Sequence, residues 1–238
     1  MQIELRDSLE NLYPVSIIGA RPVRRMTLDV ARGGTASAHI LLKDLRAGGD
    51  VRFTVTGSGL PFSDAVWTRL VDVPVEENTG LVGFTDKSMG GAPKNAPNPF
   101  VIREAPFRAY DAMAPVRHST EADTDTIALR VDIPIPADCR PRLYQCSLRF
   151  ACAKTSIELQ LAIRVHTARI PKNGAASLPV TNWFSYGNIA TRHGLRIWSE
   201  PYWRMLRSYA DLMAHGRQNT FWIPLETIFV KKGSHLKL

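Results

Sequence analysis

From Ile127 to Ile135 the chain alternates, with Ile127, Leu129, Val131, Ile133 and Ile135 on one side and Ala128, Arg130 and Asp132 on the other. A period of two marks a strand with one buried face and one wet face. The rhythm returns in Tyr144, Cys146, Leu148, Phe150 and Cys152, breaks at Ala153 to Ser156, and resumes in Ile157, Leu159, Leu161, Ile163 and Val165. Because both apolar sets point the same way, this stretch predicts a hairpin. Shorter runs carry the same signal upstream: Gln2 to Leu5, Met26 to Val30, Ala38 to Leu42, Val51 to Val55 and Trp67 to Val75, separated by turns such as Arg32-Gly33-Gly34 and Ala47-Gly48-Gly49. Many short alternating strands spell an antiparallel β-sandwich. Between Asp86 and Pro106 the texture becomes dense in Gly, Pro and Asn, which predicts a long loop that packs rather than binds a ligand.

The pattern changes after Ile170. Pro171-Lys172-Asn173-Gly174 forms a turn signal, and the apolar run Leu178 to Phe184 reads as a buried strand. Ser199 offers an N-cap hydroxyl, Glu200 an acid for the positive helix end, and Pro201 a first-turn proline. Trp203, Leu206, Ala210 and Met213 then recur at helical spacing, so a helix is expected over Pro201 to His215, with Gly216 as its left-handed stop. Asn219 to Leu225 is a second apolar strand, with Pro224 near its end. Two strands joined by one helix make a βαβ unit of a parallel sheet. The expected division is a sandwich over residues 1–172 and a βαβ fragment over 173–238, a mainly β chain.

Composition narrows this without redirecting it. With 238 residues, 45% hydrophobic and 22% charged, the chain is ordinary for a folded protein of one large core or two modest ones. No run approaches the roughly 20 apolar residues of a membrane span, and Met1 to Pro14 lacks the basic and apolar regions of a signal peptide. The net charge of +8 raises nucleic acid as a partner, but Arg130, Arg149 and Arg164 alternate with apolar residues and fall on solvated faces. A nucleic-acid groove is therefore not expected. Cys139, Cys146 and Cys152 have no CxxC spacing and no paired His, so no metal is expected, and unpaired thiols favour a reducing compartment. His39, embedded in a strand, reads as a half-exposed residue and not a ligand.

The run VTNWFSYGNIATRHGL followed by WSEPYWRMLRSYADLMAHGRQNTFWIPL resembles the start of the catalytic barrel in bacterial proteins related to glycoside hydrolase family 123, the β-N-acetylgalactosaminidases. SLENLYP with LDVARGGTASAHILL, and LYQCSLRFACAKTSIELQLAIRVHTARIP, resemble the opening and closing parts of the sandwich that precedes that barrel. RAYDAMAP is similar to a loop near the junction of the two. The resemblance implies a β-sandwich followed by a (β/α)8 barrel, here stopping after the second barrel strand. It implies as well an adjacent Asp-Glu pair on a later barrel strand, with the substrate acetamide taking part in the reaction.

No such pair stands in a barrel-strand context. Glu76-Glu77 belongs to the sandwich portion, Asp123 and Asp125 to a turn, and Glu200 to a helix start. No catalytic residue is assigned, and no cofactor. Barrel sites form at the C-terminal ends of strands, which places Asn182, Trp183 and Tyr186 at the mouth for the first strand and Glu226 for the second. Aromatic rings stack on sugars and amides bond hydroxyls, so these four are the candidate carbohydrate-binding residues; His193 is a weaker one, and the competing reading has Trp183 and Trp222 filling the barrel wall or its contact with the sandwich. The alternative reading is a stand-alone sandwich for binding or structural support. The helix also carries more large apolar residues than two strands cover, so the fragment from Leu178 onward is expected either to be less protected than the sandwich or to be hidden by self-association.

Overall fold

The computed structural model describes residues 1–78, 101–174, 177–221, 230–232 and 235–237. It divides into two compact units, Met1–Ile170 and Pro171–Leu238.

The first unit is mainly β. Among the described residues its strands are β1 (Gln2–Asp7), β2 (Arg25–Arg32), β3 (Thr35–Lys43), β4 (Gly49–Gly57), β5 (Val66–Val75), β6 (Phe107–Val116), β7 (Ser119–Ala122), β8 (Ile127–Pro134), β9 (Leu143–Cys152) and β10 (Thr155–Arg169). They form two five-stranded sheets, in the orders β1-β3-β8-β5-β6 and β2-β10-β9-β4-β7. All pairs are antiparallel except β2 with β10, which run parallel. That parallel pair departs from the purely antiparallel expectation. Alternation along a strand fixes which face is apolar, but it carries no sign of the neighbour's direction.

The predicted hairpin forms with Cys152 opposite Thr155, so the turn is only Ala153-Lys154, with Ala153 at φ 50°. Its register sets Phe150 across from Ile157, Leu148 from Leu159 and Cys146 from Leu161, all on the inner face. The inner residues of β8 meet them to form the core, and Phe53 and Phe150 flank Trp67 with ring centroids 4.7 and 5.8 Å from the indole. Gly57 is required here because a Cβ would stand 2.5 Å from Phe62 Cε2 and 2.9 Å from Cys146 Cβ.

Two strand-level expectations are corrected. RAYDAMAP is not a loop but most of β6, a ten-residue edge strand paired with β5 through a bulge at Val71/Asp72. None of its side chains is fully buried, so it lacks the apolar alternation that marks the inner strands. His39 is buried, not half-exposed: the face of β3 turned away from the core is itself covered, with Leu12, Leu70 and Ala128 forming a second small cluster. On that face Arg130 donates to both oxygens of Asp132 at 2.9 Å and to Ser37 at 3.1 Å. Residues 86–100 of the predicted loop lie outside the described residues, whereas residues 101–106 follow an irregular path held by Asn78, which bonds Arg103 O and Ala105 N.

The second unit contains α1 (Tyr186–Arg192), α2 (Glu200–His215) and a short hairpin of β11 (Val230–Lys232) and β12 (His235–Lys237). Among the described residues no helix is long and apolar enough to cross a membrane.

Candidate functional site

The candidate residues lie in the second unit, whose framework follows from local sequence. Ser185 caps α1 by accepting from Asn188 N at 3.2 Å. The helix ends with Gly194 at φ 60°, Leu195 N bonding Ala190 O and Gly194 N bonding Thr191 O. This paired closure needs a left-handed residue, and glycine adopts that conformation without a Cβ clash. Helix α1 is not among the elements the sequence predicts: its start and stop signals, Ser185 and Gly194, are present, but seven residues are too few for a period to register.

For α2 the start is as expected, with Ser199 accepting from Tyr202 N. The stop is displaced by one residue. Gly216 has φ −74°, and the left-handed position belongs to Arg217 at φ 67°. Arg217 N bonds Ala214 O at 2.9 Å, Gln218 N bonds Met213 O at 2.9 Å, and the Arg217 guanidinium donates to Pro171 O at 2.9 Å. The last contact helps to hold a residue that is otherwise disfavoured there.

Tyr202 is fully buried between the helices with Ile189 and Ala190, and Phe184, Tyr186, Met205, Leu206 and Tyr209 close around them. Its hydroxyl donates to Tyr186 O at 3.4 Å, and burial, then the neighbouring Tyr186, raise its pKa. His193 shares a 3.0 Å hydrogen bond with the Tyr209 hydroxyl, which gives it a structural partner.

The segment Leu178 to Phe184, predicted as a buried strand, carries no regular ladder. Asn219 N and Thr220 N both bond Val180 O, at 3.1 and 3.2 Å, so the chain on either side of the helices meets at one carbonyl and not along a strand pair; residues 222–225 of the second predicted strand lie outside the described residues. The remaining bonds come from side chains: Asn219 Oδ1 accepts from Val180 N at 2.9 Å and Gln218 Oε1 accepts from Asn182 N at 3.1 Å. Asn219 Nδ2 also donates to Gly174 O and Ser177 Oγ, at 2.8 and 2.7 Å. Gln218 is only 2% exposed. These two amides were missed in the sequence, where Asn219 reads as the first residue of the second predicted strand and Gln218 is assigned no role.

Of the four predicted residues, Asn182 and Trp183 are exposed just ahead of α1, Trp183 to 81%. Tyr186 opens α1 and is half-buried, its ring 4.9 Å from Phe184 and 6.1 Å from Trp198. Trp198 was not among the candidates. It sits at φ 64°, tilted against Trp203 at 5.2 Å and edge-on to Tyr202 at 5.4 Å. Glu226 and Trp222 lie outside the described residues. No group of three or more His, Cys, Asp or Glu suited to a metal ion is found among the described residues.

With this geometry in hand, the chain can be set against known structures. A glycoside hydrolase shares its fold. The match is to a family 123 glycoside hydrolase from Clostridium perfringens, studied for glycolipid glycan hydrolysis, with a TM-score of 0.55 and 12% identity over 87% of this chain. The aligned region spans only 35% of that protein's chain. The CooA pilin subunit of enterotoxigenic Escherichia coli matches at a TM-score of 0.27 with 8% identity, over 71% of this chain and 99% of that one. The N-terminal domain of PorA matches at 0.26 with 9% identity, over 70% and 99%. Neither of these low scores bears on the fold. No protein-family model and no curated protein matches the sequence.

Proposed function

We propose that the chain is the N-terminal region of a carbohydrate-active glycoside hydrolase. In this reading residues 1–172 are an accessory β-sandwich and residues 173–238 begin a (β/α)8 barrel that cleaves β-linked N-acetylhexosaminides. The observation that carries it is the fold shared with the family 123 enzyme over 87% of this chain. The position of Asn182 and Trp183 directly ahead of the capped α1 supports it, since barrel sites are built on the segments that lead into the helices. Asn182, Trp183, Tyr186 and Glu226 line the sugar subsite, and the acids that cleave the bond are supplied by sequence other than this chain.

The test has two arms. The purified chain should leave an aryl β-N-acetylgalactosaminide intact, and turnover abolished by replacing one of its own acids would refute the assignment of the acids elsewhere. N-acetylgalactosamine at millimolar concentration should shift the amide resonances of Asn182, Trp183 and Tyr186. Absence of any shift in residues 178–221 would favour a stand-alone sandwich, for which the self-contained core of Met1–Ile170 is the supporting observation.

A further inference from the structure

We infer that the Trp198–Trp203 face of the second unit binds an acidic glycan, a sugar bearing sulfate or carboxylate groups. The inference rests on the carbohydrate reading above and goes beyond it in ligand class and in place. Charge is the first observation. Residues 171–238 hold nine Lys and Arg against three Asp and Glu, so this unit carries +6 of the chain's +8. In the first unit seven arginines are matched to acids: Arg6, Arg52, Arg69, Arg108, Arg130, Arg149 and Arg164. In the second, the ion pair among the described residues is the loose Arg204–Glu200 contact at 3.6 Å. Arg196 and Arg207 are exposed and meet no acid among the described residues.

The aromatic pair is the second observation. Trp203 is 48% exposed and Trp198 38%, although they lie against each other at 34°. A tight turn, Ser199 N to Arg196 O at 3.1 Å, sets Arg196 two residues before Trp198, and Arg207 follows Trp203 by about one helical turn. An indole face accepts the C–H face of a pyranose, and a guanidinium grips sulfate or carboxylate with paired hydrogen bonds. One aromatic platform with two exposed arginines close to it in the chain fits one or two acidic sugar residues.

Other anionic partners fit less well. Single-stranded nucleic acid is held by successive aromatic platforms along a basic groove, and here there is one. A lipid surface calls for a continuous apolar stripe facing outward, whereas the exposed residues of α2 are mixed, with Glu200, Arg204, Ser208 and Asp211 interleaved with Trp203 and Leu212.

The experiment is calorimetric titration of the purified chain with a chondroitin sulfate hexasaccharide. Its desulfated counterpart, chitohexaose, oligothymidylate and phosphatidylserine vesicles serve as comparisons. Binding should be saturable, and Trp203→Ala and the pair Arg196→Gln/Arg207→Gln should each weaken it by about tenfold or more. Removing the same charge from the first unit with Arg140→Gln/Lys154→Gln should change it by less than about twofold, because net charge that makes no direct contact with the ligand is screened at physiological salt. Thermal melts check that the variants fold; if Trp203→Ala does not, the arginine pair decides. The inference is overturned if the sulfated hexasaccharide does not bind, if the sandwich pair weakens binding as much as the Arg196/Arg207 pair, or if oligothymidylate or vesicles bind more tightly. Loss of N-acetylgalactosamine shifts at Asn182 and Trp183 would strike the proposed function while leaving this result standing.

Discussion

Replacing Gln218 by Leu removes one buried amide and keeps most of its volume. In the native chain its Oε1 accepts from Asn182 N at 3.1 Å and its Nε2 donates to Thr220 O at 3.2 Å. Leucine satisfies neither group. Water reaches Asn182 from its exposed side and offsets part of the loss, so the cost is about 1–2 kcal/mol rather than the full penalty of two stranded polar groups. If it falls on local opening, the amides of Val180 and Asn182 should exchange roughly 5- to 30-fold faster, since each 1.4 kcal/mol is a factor of ten. The inner strands β9 and β10 belong to the other unit and should keep their protection. Native-state hydrogen exchange with residue resolution reads both at once. Unchanged protection at Val180 and Asn182 in a folded Gln218→Leu protein would refute the claim that this side chain holds the segment. Equal loss in β9 and β10 would show that the two units do not open separately.

Three further outcomes are expected. Phe150→Ala opens the centre of the sandwich beside Phe53 and Trp67 and should cost about 3–5 kcal/mol, read from denaturant unfolding of the first unit. Burial pushes the Cys146 thiol up to about 11, so the native chain should alkylate at Cys146 only after unfolding, and fast native labelling there by mass spectrometry would count against the register. Burial, then the Arg130 guanidinium, holds His39 below its ordinary 6.5, with Asp132 and Asp7 opposing; stability from this residue is full above that value and declines as pH falls below it, so His39→Leu should flatten the acid side of a stability-against-pH curve.

The sandwich was legible because its inner strands are buried on the side their period marks. The β9–β10 hairpin follows the alternation closely, and Ile127, Leu129, Val131, Ile133 and Ile135 are all buried, although Ala128 on the opposite face, predicted wet, is buried as well. Strand β6 was not legible, since an edge strand with half-exposed side chains on both faces has no period to read. His39 failed for a different reason. A strand covered on both sides shows polar residues that look solvated until the covering segment, here carrying Leu12, is known. In the second unit the helix was readable from Ser199, Pro201 and its apolar spacing, but its stop was set by hydrogen bonds that Gly216 and Arg217 could each have satisfied by composition.

The amides of Gln218 and Asn219 also bear on what the extended segment ahead of α1 can do. Val180 N and Asn182 N are two residues apart and point the same way, as donors along one side of an extended chain do. With Asn219 Oδ1 and Gln218 Oε1 bonded to them, these donors are already occupied. A strand laid along that side would have to displace both amides. Each exchange trades one hydrogen bond for another, with a net difference well below the roughly 1 kcal/mol a single bond contributes. The buried amide of Gln218 would then lose its partner, which tips the exchange against the incoming strand. The pair therefore occupies the donors that an added strand would need, and it does so with neutral groups inside a strongly basic unit. That is why a Gln-Asn dipeptide after a helix stop, unremarkable as sequence, decides how the candidate sugar-binding segment is held.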